Sequence, residues 1–209
     1  MIDSDNPSAR GRPVNEHARM ERRQLILTGA RACFIQRGFH ASSISEIATA
    51  AGVSNANIYQ YFENKDALIL ALIDEDMKSD LALIHRISAS PLRRDDLRHI
   101  LAPLFRTEEG RNLAILRCEF ASEAARNPVV GRLAARSETL GLQAMQWGIR
   151  VAQANGTVPE AIDAETTAPV LAYLFDGLLR QRTYPDSDGE ALLDALVGHF
   201  ANILQINDR

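Results

Sequence analysis

Cysteine is scarce in this chain: Cys33 and Cys118 are the two among 209 residues, and their spacing frames neither a disulfide scaffold nor a metal site. The five histidines (His17, His40, His85, His99, His199) never fall at zinc-binding intervals. No Gly-x-Gly phosphate loop is present, and no serine sits in a nucleophile elbow. The acid pairs Asp74/Asp76 and Asp186/Asp188 read as solvated helix faces or turns. The sequence therefore asks for no enzyme chemistry, no metal and no cofactor. No apolar run approaches the ~18 residues of a membrane span, and the opening MIDSDNPSARGRP lacks the apolar core of a signal peptide. A cytoplasmic protein without membrane contact is expected.

A net positive charge is missing too, since the formal charge is −4. Its distribution is uneven. Between Arg10 and Lys65 there are eight basic residues against four acidic ones, so the rest of the chain carries the whole negative excess. Such asymmetry suits an anion-binding module joined to a more acidic body. With 46% hydrophobic and 24% charged residues, the composition is that of an ordinary globular protein.

Apolar residues recur at helical spacing, and sustained period-two alternation is absent, so an all-α fold of about nine helices is expected, the first three short. The first runs from about Met20 to Arg37 and ends at Gly38 in a left-handed cap. Ser43 and Glu46 form a capping box for a short helix that closes at Gly52. Ser54 caps a third helix, and Asn64 caps a long fourth from Lys65 to Ser88. A break at Pro91 precedes helices at about Asp95–Arg106, Arg111–Arg126, Pro128–Asn155, Ala164–Tyr184 and Gly189–Ile206. Asn127 with Pro128 fits a cap followed by proline in the first turn, and Ser187 with Glu190 fits another capping box. Pro103 and Pro169 fall inside helical patterns and are expected to kink or end them.

The segment SISEIATAAGVSNANIYQYF, from Ser43 to Phe62, carries the most information. Two short helices joined tightly need a small residue at the crossing, positive φ in the turn, and branched residues in the joint. Ala48, Gly52, and Val53 with Ile58 supply these. The second helix is too short to be stable alone and displays amides suited to base edges.

This stretch resembles the DNA-binding signature of the TetR/AcrR family of bacterial transcriptional regulators. The likeness covers about residues 20–70, including ILTGARACFIQRGFHAS upstream. Ala56 stands where many members have glycine, and Asn55 where a lysine or arginine often meets phosphate. FASEAARNPVV and LFDGLLRQ resemble effector domains of betaine-type and AcrR-like repressors. The resemblance implies a helix-turn-helix domain with its arm over residues 1–65 and an effector-binding and dimerisation domain over 66–209. It implies a homodimer packed through the last two helices, a double-stranded DNA operator, and a small-molecule effector among the middle helices.

Carried onto matching positions, Ser43 contacts a phosphate, Ser54, Asn55 and Asn57 face the major groove, and Asn57 is the candidate for an adenine contact. Tyr59 and Tyr61 reach phosphates or base edges, unless Tyr59 is buried against the first helix. Lys65 meets a phosphate, which offsets a cation at a helix N-terminus. Arg10 and Arg12 form either a minor-groove arm or a soluble tail. Arg117, Cys118, Phe120, Trp147, Tyr173 and Asp176, backed by Phe105 and His85, are polar or aromatic residues on apolar faces, and so are ligand candidates or core. Leu174, Leu178, Leu193, Leu196, Phe200 and Ile203 are expected at the dimer interface, because the last helix otherwise exposes an apolar stripe. The function that follows is a ligand-released repressor. A DNA-binding scaffold regulated by a protein partner is the alternative, and a helical enzyme is the remote third reading.

Overall fold

The computed structural model describes residues 16–90 and 92–206. Within them the chain forms nine helices and no strand. They are α1 (Glu16–Arg37), α2 (Ile44–Ala51), α3 (Asn55–Tyr59), α4 (Lys65–Ser88), α5 (Arg94–Arg106), α6 (Glu108–Ala124), α7 (Pro128–Ala154), α8 (Ala164–Gln181) and α9 (Gly189–Leu204). Arg10, Arg12 and the expected break at Pro91 lie outside the described residues. The first helix is not short: α1 has 22 residues and begins four residues before the expected start.

Caps set most boundaries. The Ser43 hydroxyl accepts from the Glu46 amide, and the Glu46 carboxylate accepts from the Ser43 amide. Ser54, Asn64 and Asn127 accept from the first-turn amides of α3, α4 and α7, with Pro128 opening α7. Two expectations need correction here. Thr107 rather than Arg111 marks the start of α6, its hydroxyl accepting from the Gly110 amide at 3.1 Å. Asp188, not Ser187, caps α9, because its carboxylate accepts from both Glu190 and Ala191. A carboxylate at a helix N-terminus gains from the dipole as well as from the bond.

Pro103 and Pro169 neither end nor break their helices; α5 and α8 run through both. Proline leaves the carbonyl four residues earlier without its helical donor. Those carbonyls belong to His99 and Glu165, both exposed residues, where water can satisfy them.

Two apolar clusters hold the fold. The first joins α1, α2, α3 and the first half of α4 through Ile26, Phe34, Ile47, Ile58, Leu68 and Leu72, all fully buried. It also takes in Leu116 and Phe120 from α6 and Val130 from α7. The second cluster fills the space among α5, α7, α8 and α9. The stripe on α9 faces this interior: Leu193 and Leu196 are completely buried and Phe200 nearly so. These three are core of their own chain and not interface anchors, because α5 and α8 cover them.

Candidate functional site

The α2–α3 pair is built as its sequence requires. Gly52 closes α2 at φ +65°, a left-handed conformation that a side chain disfavours. Ala48 and Ile58 are buried in the joint, and Val53 packs beside them. A closer approach lies elsewhere: a Cβ on Gly29 of α1 would stand 2.8 Å from the Ala51 amide nitrogen. Glycine at that crossing is what lets α2 seat against α1.

This packing turns Ser54, Asn55, Ala56, Tyr59 and Gln60 to solvent. Tyr59 is 56% exposed, so burial against α1 does not occur. Tyr61 is half-buried against the first cluster. Asn57 is also half-buried; its Nδ2 donates to Gln60 Oε1 at 3.1 Å and its Oδ1 is enclosed without a hydrogen-bond partner. It is thus less available for adenine than Asn55. Ser43 is exposed, but its hydroxyl is engaged by Glu46. Ser43 and Arg37 together hold the Glu46 carboxyl below its ordinary pKa, the Ser43 amide contributing most.

Lys65 departs from its expected place at a phosphate. Its Nζ donates to the carbonyls of Phe39 (2.8 Å), Ser42 (3.0 Å) and His40 (3.3 Å) and lies 4.4 Å from the centre of the Phe39 ring. An ammonium has three N–H donors, and all three are directed at the α1–α2 loop. The unfavourable dipole at the start of α4 is offset by three carbonyls and a ring face rather than by an anion. α6 grips the same loop: Glu119 accepts from the Phe39 amide at 2.9 Å, and Glu123 meets His40 Nε2 at 2.9 Å.

Between α4, α6, α7 and α8 lies a cavity of about 500 Å³. Met77, Leu81, Ile84, Leu142, Met145 and Phe175 give it apolar walls. Arg117, Cys118, Phe120, Tyr173 and Asp176 line it as expected. Asp76, expected with Asp74 on a solvated helix face, and Asp80, also on α4, line it as well. Here they face Arg117, with Asp76 Oδ2 at 3.1 Å from Nε and Asp80 in close contact with Nη2. Desolvation works against the guanidinium's charge, but Asp76 and Asp80 outweigh it and hold the Arg117 pKa up. Burial in turn raises the Asp76 and Asp80 pKa values, with Arg117 pulling both back. Burial raises the Cys118 thiol, which disfavours its thiolate form.

Three ligand candidates do not line the cavity. Phe105 is fully buried in the second cluster. Trp147 is 49% exposed on α7, stacked on His85 with ring centres 6.3 Å apart. Both sit on the outward sides of α7 and α4, which their apolar spacing did not reveal.

Comparison with known proteins agrees with this geometry. Residues 26–72 match the family described as bacterial regulatory proteins, tetR family. The chain is 30% identical over 173 residues to the HTH-type transcriptional repressor BepR of Brucella suis, covering 77% of this chain and 80% of BepR. It is 31% identical over 191 residues to the HTH-type transcriptional regulator TtgR of Pseudomonas putida, covering 84% of this chain and 87% of TtgR. The chain belongs to the TetR family. Salmonella enterica GusR shares the fold, with a TM-score of 0.71 and 26% identity over 89% of this chain and 96% of GusR. As a TetR-family member the protein is a DNA-binding transcriptional regulator and not an enzyme. Among the described residues, no helix is long and apolar enough to cross a membrane.

Proposed function

We propose that this TetR-family regulator is a cytoplasmic repressor that binds a two-fold operator as a homodimer and is released by a small, partly apolar molecule. The observation that carries the reading is α4 itself. At its first residue, Lys65 clamps the α1–α2 loop of the DNA-binding helices. Three turns on, Asp76, Met77, Asp80, Leu81 and Ile84 form one wall of the cavity. A ligand that shifts this wall tilts the helix and alters the separation of two recognition helices whose half-sites are fixed by DNA. A coupling of only about 1–3 kcal/mol changes affinity by about 5–150-fold.

In this reading residues 1–65 carry DNA recognition and residues 66–209 carry effector binding and dimerisation, with α4 joining them. Asn55 and Tyr59 read bases or phosphates, Ser54 and Ser43 stand at the helix starts, and Tyr61 supports them. Leu174, Leu178 and Ile203 on α8 and α9 remain partly exposed and, with Val170, form the candidate dimer face. The open cavity speaks for a small-molecule sensor over a protein-regulated scaffold. The test is reciprocal: a compound found by thermal stabilisation is titrated with and without operator DNA. Weaker compound binding in the presence of operator is expected, and equal affinities contradict release.

A further inference from the structure

The charges around the cavity do not balance. Four carboxylates, those of Asp76, Asp80, Glu138 and Asp176, line it with two guanidiniums, Arg117 and Arg180. Arg117 is taken up by Asp76 and Asp80 and reaches Asp176 only at 3.4 Å. Arg180 is exposed and donates to the Tyr184 hydroxyl at 3.3 Å. Asp176 therefore shares Arg117 with two closer carboxylates, and Glu138 meets Tyr173 rather than a cation among the described residues. Tyr173 donates its hydroxyl to Glu138 Oε1 at 3.0 Å.

Asp176 keeps 62% of its side chain accessible, so its carboxylate can receive a ligand. Burial nonetheless raises its pKa; Arg117 pulls it back, and Asp76 and Glu138 push it up again. A surplus of negative charge beside apolar walls is costly when no counter-charge is present. An anionic ligand finds Arg117 already held by Asp76 and Asp80, and the exposed Arg180 is the cation left to it among four carboxylates. A metal ion lacks its donors: among the described residues, no group of three or more histidines, cysteines or carboxylates is placed to hold one.

We propose that the effector is an organic cation with an apolar body, its charge seated between Asp176 and Glu138 and its body along Met77, Leu81 and Leu142. The proposal rests on the sensor role argued above and narrows it to one ligand class. The Tyr173 and Phe175 rings also line the cavity; Arg117 already lies over the Phe175 ring at 5.9 Å, so Tyr173 is the ring left to attract a quaternary or protonated nitrogen.

The test uses the full-length protein at pH 7 and three probes with one alkyl chain: decyltrimethylammonium, 1-decanol and decanoate, each below its micelle concentration. Calorimetric titration is expected to rank the cation first, by about tenfold over the alcohol, with decanoate weakest. In the Asp176→Asn/Glu138→Gln variant the cation should fall to the alcohol's affinity while the alcohol is unchanged. Glu138→Gln alone, at an exposed side chain, should lose part of the preference, and thermal melting of each variant reports its fold. Decanoate binding as tightly as the cation overturns the cationic class but leaves the sensor role. So does a cation preference that survives both substitutions. Binding by none of the three probes removes the sensor role, and the proposal with it.

Discussion

Arg117 on α6 lies 3.1 Å from Asp76 on α4, and with Asp80 one turn further this contact ties the cavity's two most polar walls together. Removing the guanidinium leaves two carboxylates against apolar surroundings. Arg117→Met is therefore expected to lose stability toward the lower end of about 3–5 kcal/mol, since Asp80 keeps some water. Urea denaturation measures it. Adding Asp76→Asn should recover part of the loss. A change below about 1 kcal/mol would mean the pair is only a surface contact.

Asp176 should behave in the opposite sense. Its pKa is raised in the folded state, so the fold binds that proton more tightly than the unfolded chain does. Its contribution is most favourable below the ordinary carboxylate range and declines as pH rises through the raised value. At pH 7, Asp176→Asn is expected to melt no lower than the parent, and any gain should shrink toward pH 4. A clear drop in melting temperature at pH 7 would show that its contact with Arg117 outweighs its desolvation.

Lys65 gives a prediction about position. Its three bonds to the α1–α2 loop make Lys65→Met a stability variant, costing about 1.5–3 kcal/mol for charged hydrogen bonds. The salt dependence of DNA binding should keep its slope. Unchanged stability with a slope reduced by about one unit would return Lys65 to the phosphate backbone.

Gly29 separates two effects by sign. On helix propensity alone, Gly29→Ala stabilises by about 0.8–1.0 kcal/mol. The added Cβ, however, would meet Ala51 backbone atoms at 2.8 and 3.1 Å. Overpacking is expected to win, with a net loss of about 1–3 kcal/mol and weaker DNA binding as α2 is pushed outward. Chemical denaturation beside a DNA titration checks both. A stabilised variant would show that the crossing yields easily.

What the sequence makes legible is mostly local. Ser43 with Glu46, Gly52, Ser54 and Asn64 write their helix ends in adjacent residues, and the structure places them there. Asp188 over Ser187 was a contest between neighbours that only backbone geometry decides. Pro103 and Pro169 do not end their helices, because that depends on whether the freed carbonyl reaches water, which is tertiary. The same holds for side-chain partners. Asp76 looks like a surface acid until α6 brings Arg117 across, and Lys65 looks free until the α1–α2 loop folds over it. Leu193, Leu196 and Phe200 looked like an interface because an apolar stripe does not state which surface covers it.

The most direct measurement is selection of binding sites from a random duplex library by the purified protein, followed by sequencing. One short recognition helix per chain reads few base pairs, so the account predicts a two-fold symmetric site. Its half-sites should lie ~34–36 Å apart or at a multiple of that distance. Asn55→Ala should relax preference at one position in each half by about 1–3 kcal/mol. Recovery of no enriched sequence, or of a single unrepeated half-site unaffected by Asn55→Ala, would contradict the account.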